Sequence, residues 1–180
     1  MRRFFYFLIF ILFISGCART VTSPLKKIVE VSFTLEDNIT FTDDNYYLVI
    51  AFNSNIYEQP NDNLSTWKNF FVFKKEITQY KFFKGKDGNL NNLNPVYFEI
   101  YYDEDLKNFD LKIPLKELYE DGIEPKGLYI NIFYISIGSD NNLIFQKYLF
   151  QAIYIEIIRG NQIGPYNYSG FLKNLIVKFY

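Results

Sequence analysis

The chain predicts an all-β fold, an antiparallel sandwich of about nine or ten strands with at most one short helix near residues 115–120. Three observations lead there. Apolar residues recur with period two in one segment after another, as in Val29, Val31, Phe33 and Leu35 set against Glu30, Ser32 and Thr34. Clusters of Asn, Asp, Gly and Pro separate these segments, the residues that favour turns. No stretch carries the helical crossovers that parallel strands need. Two packed antiparallel sheets satisfy all three, and a closed barrel is the alternative.

The elements follow in order. Residues 29–35 alternate and form a half-buried strand; residues 38–45 are polar and turn-rich. Residues 46–52 are a continuous apolar run, as for a central strand covered on both faces. A polar loop over residues 53–68 contains Pro60 and closes on Trp67; loops of this length are uncommon and often functional. Strands follow at residues 70–73 and 77–83. Asp87 and Gly88 then supply the chemistry of a tight turn with positive φ. Residues 96–102 read as one strand that turns at Asp103, Glu104 and Asp105. Phe109, Leu111 and Ile113 alternate with Asp110 and Lys112 until Pro114 ends the strand. Residues 115–120 suit one or two helical turns, with Gly122 as a stop. Residues 128–137, 144–150, 153–158 and 172–180 complete the strands, with a loop at 160–170 between the last two. Sequential short strands of this kind suit an immunoglobulin-like or jelly-roll-like sandwich.

The beginning of the chain has a different character. Arg2 and Arg3 precede an apolar run from Phe4 to Ile14, followed by the small residues Ser15 and Gly16. That order is a secretory signal, and the run is shorter than the roughly 20 apolar residues a membrane-spanning helix needs. Ile14-Ser15-Gly16-Cys17 resembles the lipobox of bacterial lipoproteins. The resemblance implies cleavage of residues 1–16 and acylation of Cys17, with chains such as palmitate. Residues 17–25 then form a lipidated tether, and residues 26–180 a single sandwich domain. Cys17 is the one cysteine in the chain, and a lone thiol in an exported protein calls for such an explanation. Each buried acyl CH₂ contributes about 0.8 kcal/mol, so two or three chains hold a protein durably to a membrane. The expected location is the cell envelope, on a bacterial membrane. The resemblance also implies that Ala18 after the cysteine permits outer-membrane sorting, and the leaflet stays open.

Composition excludes several functions. Loss of residues 1–16 removes two of the 19 basic residues and none of the 20 acidic ones, leaving a net charge of −3. Without a basic stripe, nucleic acid is not an expected partner. There is no histidine, which removes Ser-His-Asp and Cys-His catalysis and His-ligated metal sites. No glycine-rich phosphate loop occurs. The expectation is a non-catalytic chain with no cofactor and no metal. Phe and Tyr together number 36, and Asn, Ile and Lys are also abundant, a pattern that AT-rich codons produce without selection for a ligand.

Candidate binding residues come from strand faces. Along residues 96–103, Tyr97, Glu99, Tyr101 and Asp103 point one way, and Tyr154 and Glu156 alternate similarly in a later strand. Were those strands neighbours, tyrosines and carboxylates would share one surface. Sugars bind such surfaces, an aromatic ring covering the CH face and carboxylates taking hydroxyls. The alternative is an ordinary solvent face with cross-strand tyrosine pairs. Trp67 is either a stacking anchor for a ligand or a core plug. Asp87, Asn89 and Asn91 place oxygens at alternate positions, but the sixth and twelfth places of a calcium loop hold Asn92 and Phe98. Glu99 and Glu156 are the pair a two-carboxylate glycosidase would use. From residue 46 through the Lys112–Leu118 stretch to the strand at 127–137, the layout resembles DOMON-type and related carbohydrate-binding sandwiches. That resemblance implies a sandwich and a sugar ligand. The expected function is a membrane-anchored binding module for a glycan or an envelope protein. The alternative is a structural lipoprotein acting through protein contacts.

Overall fold

The computed structural model describes residues 27–41, 45–119, 124–140, 142–149, 151–160, 162–167 and 170–180. The signal, Cys17, the tether and Gly122 lie outside them. The twelve strands are β1 (Ile28–Leu35), β2 (Tyr46–Asn53), β3 (Asn69–Glu76), β4 (Gln79–Lys86), β5 (Asn94–Pro95), β6 (Glu99–Tyr102), β7 (Asn108–Pro114), β8 (Gly127–Ile137), β9 (Leu143–Tyr148), β10 (Ile153–Glu156), β11 (Gln162–Tyr166) and β12 (Leu172–Phe179). They form two antiparallel sheets, ordered β11-β12-β1-β7-β6 and β10-β8-β2-β3-β4-β5, with β9 also paired to β8. Among the described residues neither sheet closes into a barrel. The fold is therefore an all-β sandwich, and the described residues hold two strands more than the ten the sequence marks.

Both additions have a physical cause. The strand expected over 96–102 starts only at Glu99. Asn94 and Pro95 pair with Lys84 and Phe83 in the larger sheet, so residues 96–98 cross between sheets. Val96 and Phe98 pack into the core on the way, with the Phe98 ring 5.2 Å from Phe71. The loop expected over 160–170 contains β11. Its Asn, Gly and Pro residues read as a turn, yet Pro165 fits an edge strand, where no ladder hydrogen bond is needed on the open side. The strand expected from Ile77 begins two residues later, because Ile77 lies in the β3–β4 turn with φ of 57°. The helical stretch near 115–120 is a single 3-10 turn, Leu115–Glu117.

Alternation decides the layers. Val29, Val31, Phe33 and Leu35 of β1 face inward, with Phe109, Leu111 and Ile113 of β7 and Leu175, Val177 and Phe179 of β12. They meet Leu48, Ile50, Phe52, Phe71, Phe73, Leu128, Ile130 and Ile132 from the larger sheet. Much of the aromatic content is spent here. Phe73 has the rings of Phe41, Tyr80, Phe82, Tyr102 and Phe109 around it at 4.6–5.4 Å. The larger sheet is buried on its other side too. Val49, Ala51, Phe70, Val72, Phe133 and Ile135 form a second cluster under Trp67, Leu64, Leu90 and Leu93. That explains the unbroken apolar run of β2, which needs partners on both faces.

Candidate functional site

Trp67 shows how the long loop before β3 is built. It is fully buried, 4.6 Å from the Phe133 ring and 5.7 Å from Phe70, and its indole Nε1 donates to the Asn61 carbonyl at 2.7 Å. Asn131 on β8 donates to the Pro60 carbonyl at 2.9 Å and the Leu149 carbonyl at 3.1 Å. The loop is thus a cover over the outer face of the larger sheet. Trp67 is a core plug and cannot stack a ligand from solvent, which corrects its candidacy as a binding residue. Asp87 and Gly88 follow as expected, with φ of 49° and 66°. Gly88 is needed there twice over, since a Cβ would fall 2.2 Å from the Leu64 carbonyl oxygen. Lys84 and Lys86 line the same depression as Asp87 and Asn89, and the Lys84 ammonium is paired with Glu117 at 2.7 Å.

The tyrosine–carboxylate platform is not assembled as one surface. Glu99 and Tyr101 are on β6, at the edge of the smaller sheet; Tyr154 and Glu156 are on β10, at the edge of the larger one. Tyr154 packs against Tyr129 at 5.2 Å, and Tyr97 stands 94% exposed in the crossover before β6. Glu99 and Glu156 therefore belong to different sheets and do not share one sheet face. Glu99 is instead held by Lys112 at 2.8 Å.

What the register does bring together is the outer face of the smaller sheet. Tyr101 pairs with Asp110, and Asp110 with Ser32; Asn108 pairs with Thr34, and Thr34 with Asn174; Glu99 pairs with Lys112, Lys112 with Glu30, and Glu30 with Lys178. The last row is an alternating ion ladder. Lys178 binds Glu30 at 2.7 Å, and this hydrogen bond is the main reason the Glu30 carboxyl titrates below its ordinary value, burial opposing it. The Lys178 ammonium is raised by the same bond.

The other two rows border an open depression of about 400 Å³. Ser32, Thr34, Tyr101, Asp103, Asn108, Asp110 and Asn174 line it, together with Phe33, Tyr102 and Phe109. Ser32 Oγ donates to Asp110 at 3.2 Å, Thr34 Oγ1 to Asn108 Oδ1 at 2.8 Å, and Asn108 Nδ2 to Asp103 at 2.6 Å. Burial works to raise the Asp103 carboxyl, but the amides of Lys107 and Asn108 and the Asn108 side chain outweigh it, and the group is lowered. Asn174 Oδ1 is buried and accepts no hydrogen bond from the described residues. Tyr101 is 59% exposed at the rim. The depression lies toward the Leu35 end of β1, and Thr34 is about 20 Å from Ile28 at about 3.3 Å per residue.

Of the candidate face read from the sequence, Tyr101 and Asp103 border this depression, and Glu99 lies one row away. Singly, Ser32, Thr34, Asn108, Asp110 and Asn174 carry no signal of a site. Their outward alternation was readable, but their convergence depends on β1 lying between β7 and β12. No family model, curated protein or solved structure matches this chain.

Proposed function

We propose that the chain is an exported, lipid-anchored and non-catalytic envelope module. In this reading Cys17 carries the acyl chains, residues 26–180 form one sandwich domain, and the outer face of the smaller sheet binds a saccharide. One observation carries the saccharide reading. An exposed Tyr101 ring stands beside hydroxyl, amide and carboxylate groups of Ser32, Thr34, Asn108, Asp110 and Asn174 around an open depression. The ring suits the CH face of a sugar, and the polar groups suit its hydroxyls. The depression is at the end of β1 remote from Ile28, where the described chain begins, and in this reading the anchor at Cys17 leaves the face clear of the bilayer.

Two experiments test the reading. Labelling cells with an alkyne palmitate analogue should mark the wild-type chain and leave Cys17→Ala unmarked; a labelled variant would refute the anchor. Titrating the full chain in mild detergent with neutral oligosaccharides should give saturable binding that Tyr101→Ala abolishes while the melting temperature holds. Absence of any saccharide binding would refute the face.

A second reading, assembly through protein contacts, is favoured by Ile144, Tyr148, Tyr154 and Ile158, which are exposed on or beside the β9–β10 edge of the larger sheet. That reading expects a cross-linked envelope partner whose yield falls in Tyr148→Ser/Tyr154→Ser, with saccharides having no effect.

A further inference from the structure

We infer that the Tyr101 face selects saccharides bearing a free amine over their N-acylated and acidic counterparts; the inference rests on the saccharide reading above. It follows from the direction of the hydrogen bonds already made. Ser32 spends its hydroxyl proton on Asp110, and Thr34 spends its own on Asn108. Asn108 spends an amide proton on Asp103. These three polar groups are thereby left presenting mainly lone pairs. Asp110 uses one carboxylate oxygen on Ser32, and its remaining lone pairs are open. Asn174 Oδ1 has no donor among the described residues, but it is buried and faces no ligand directly. The donors left on the lining are the second Asn108 amide proton, the Asn174 amide group and the Tyr101 hydroxyl, fewer than the open lone pairs of Ser32, Thr34, Asp103 and Asp110.

Charge points the same way. Asp103 and Asp110 line the depression, and no Lys or Arg is among the described residues that do. The nearby ammonium groups of Lys112 and Lys178 are engaged with Glu99 and Glu30. An ammonium group brings three donors and no acceptor, which is what the face lacks. Uronate or sulfated sugars bring acceptors and negative charge to a surface that already has both. Lys112 Nζ lies 5.9 Å from the Tyr101 centroid, and Glu99 compensates its charge there.

The test uses the full chain in mild detergent and three oligosaccharides of equal length, built from glucosamine, N-acetylglucosamine or galacturonate. Calorimetric titration at low salt should show the glucosamine oligomer binding about tenfold tighter than the N-acetylated one, since a charge-assisted hydrogen bond is about twice as strong as a neutral one. Galacturonate should show no binding. The preference should shrink as salt screens it. Asp110→Asn should erase the preference while N-acetylated binding persists, and Tyr101→Ala should lose both. Equal or tighter binding of the N-acetylated or acidic oligomer would overturn the inference and leave the saccharide reading standing. Undiminished glucosamine binding by Tyr101→Ala would also overturn it, as general attraction to an acidic protein. No binding of any oligomer would overturn both.

Discussion

Trp67 and Glu30 carry opposite kinds of weight at the level of single residues. Trp67 fills the space between Phe70, Phe133 and Phe145 and has its one polar atom paired. Trp67→Ala should cost about 3–5 kcal/mol, because lost burial and a residual cavity add; the denaturation midpoint measures it. Glu30 is a buried carboxylate on the polar side of β1, between Lys112 and Lys178. Its folded pKa lies below the ordinary 4.5, so its contribution is complete above that value and is lost as pH falls through the folded pKa. Lys178 is raised above 10.5, so its share is complete below that value and is lost as pH rises through the folded pKa. The stability difference between wild type and Glu30→Gln should thus be flat between these limits and shrink below about pH 4.5. A difference unchanged down to pH 3 would show that the Lys178 bond does not hold in solution. Neither role was legible in the sequence. A single Trp after a polar loop is equally consistent with a plug and with an anchor. Glu30 looked like any outward residue until Lys178, 148 positions away, came to lie beside it.

Elements were legible where one face is apolar and the other polar, and illegible where turn residues sit inside a strand. The alternation in β1 and β7 located them to within a residue or two. β11 was hidden by Gly164 and Pro165, and β5 by being only two residues long. Ile77 misled for the opposite reason, a β-branched residue placed in a turn. It is 87% exposed with φ of 57°, a region that costs non-glycine residues about 1–2 kcal/mol. Ile77→Asn should therefore raise stability by about 0.5–1 kcal/mol, read from thermal unfolding. A fall would mean that the Ile77 side chain makes a contact worth more than its backbone strain. Asn131 joins elements that no local pattern connects. Its amide ties β8 to the covering loop at Pro60 and to the break between β9 and β10 at Leu149. Asn131→Leu should leave two buried carbonyls unpaired, at about 1–3 kcal/mol each. Limited proteolysis should then cut within residues 54–66 faster than in wild type.

For the whole molecule, the sequence conveyed two layers and antiparallel pairing but not which strand lies beside which. That order is what separated Glu99 and Tyr101 from Tyr154 and Glu156, and what gathered Ser32, Asp110 and Asn174 instead. The same order makes β1 an interior strand, with seven residues paired to β12 on one side and seven to β7 on the other. Those ladders have a mechanical meaning. Force entering at Ile28 and leaving through the 103–107 turn runs along β1 and out through β7, and loads the ladder between them in shear. All rungs must then yield together. A pull on β11 at the sheet edge peels pairs from β12 one after another. In single-molecule stretching, handles at residue 27 and in the 103–107 turn should give a markedly higher rupture force than handles at residues 162 and 180. Under the proposed function, with the tether at one end and the ligand at the other, the load would fall in the stronger direction.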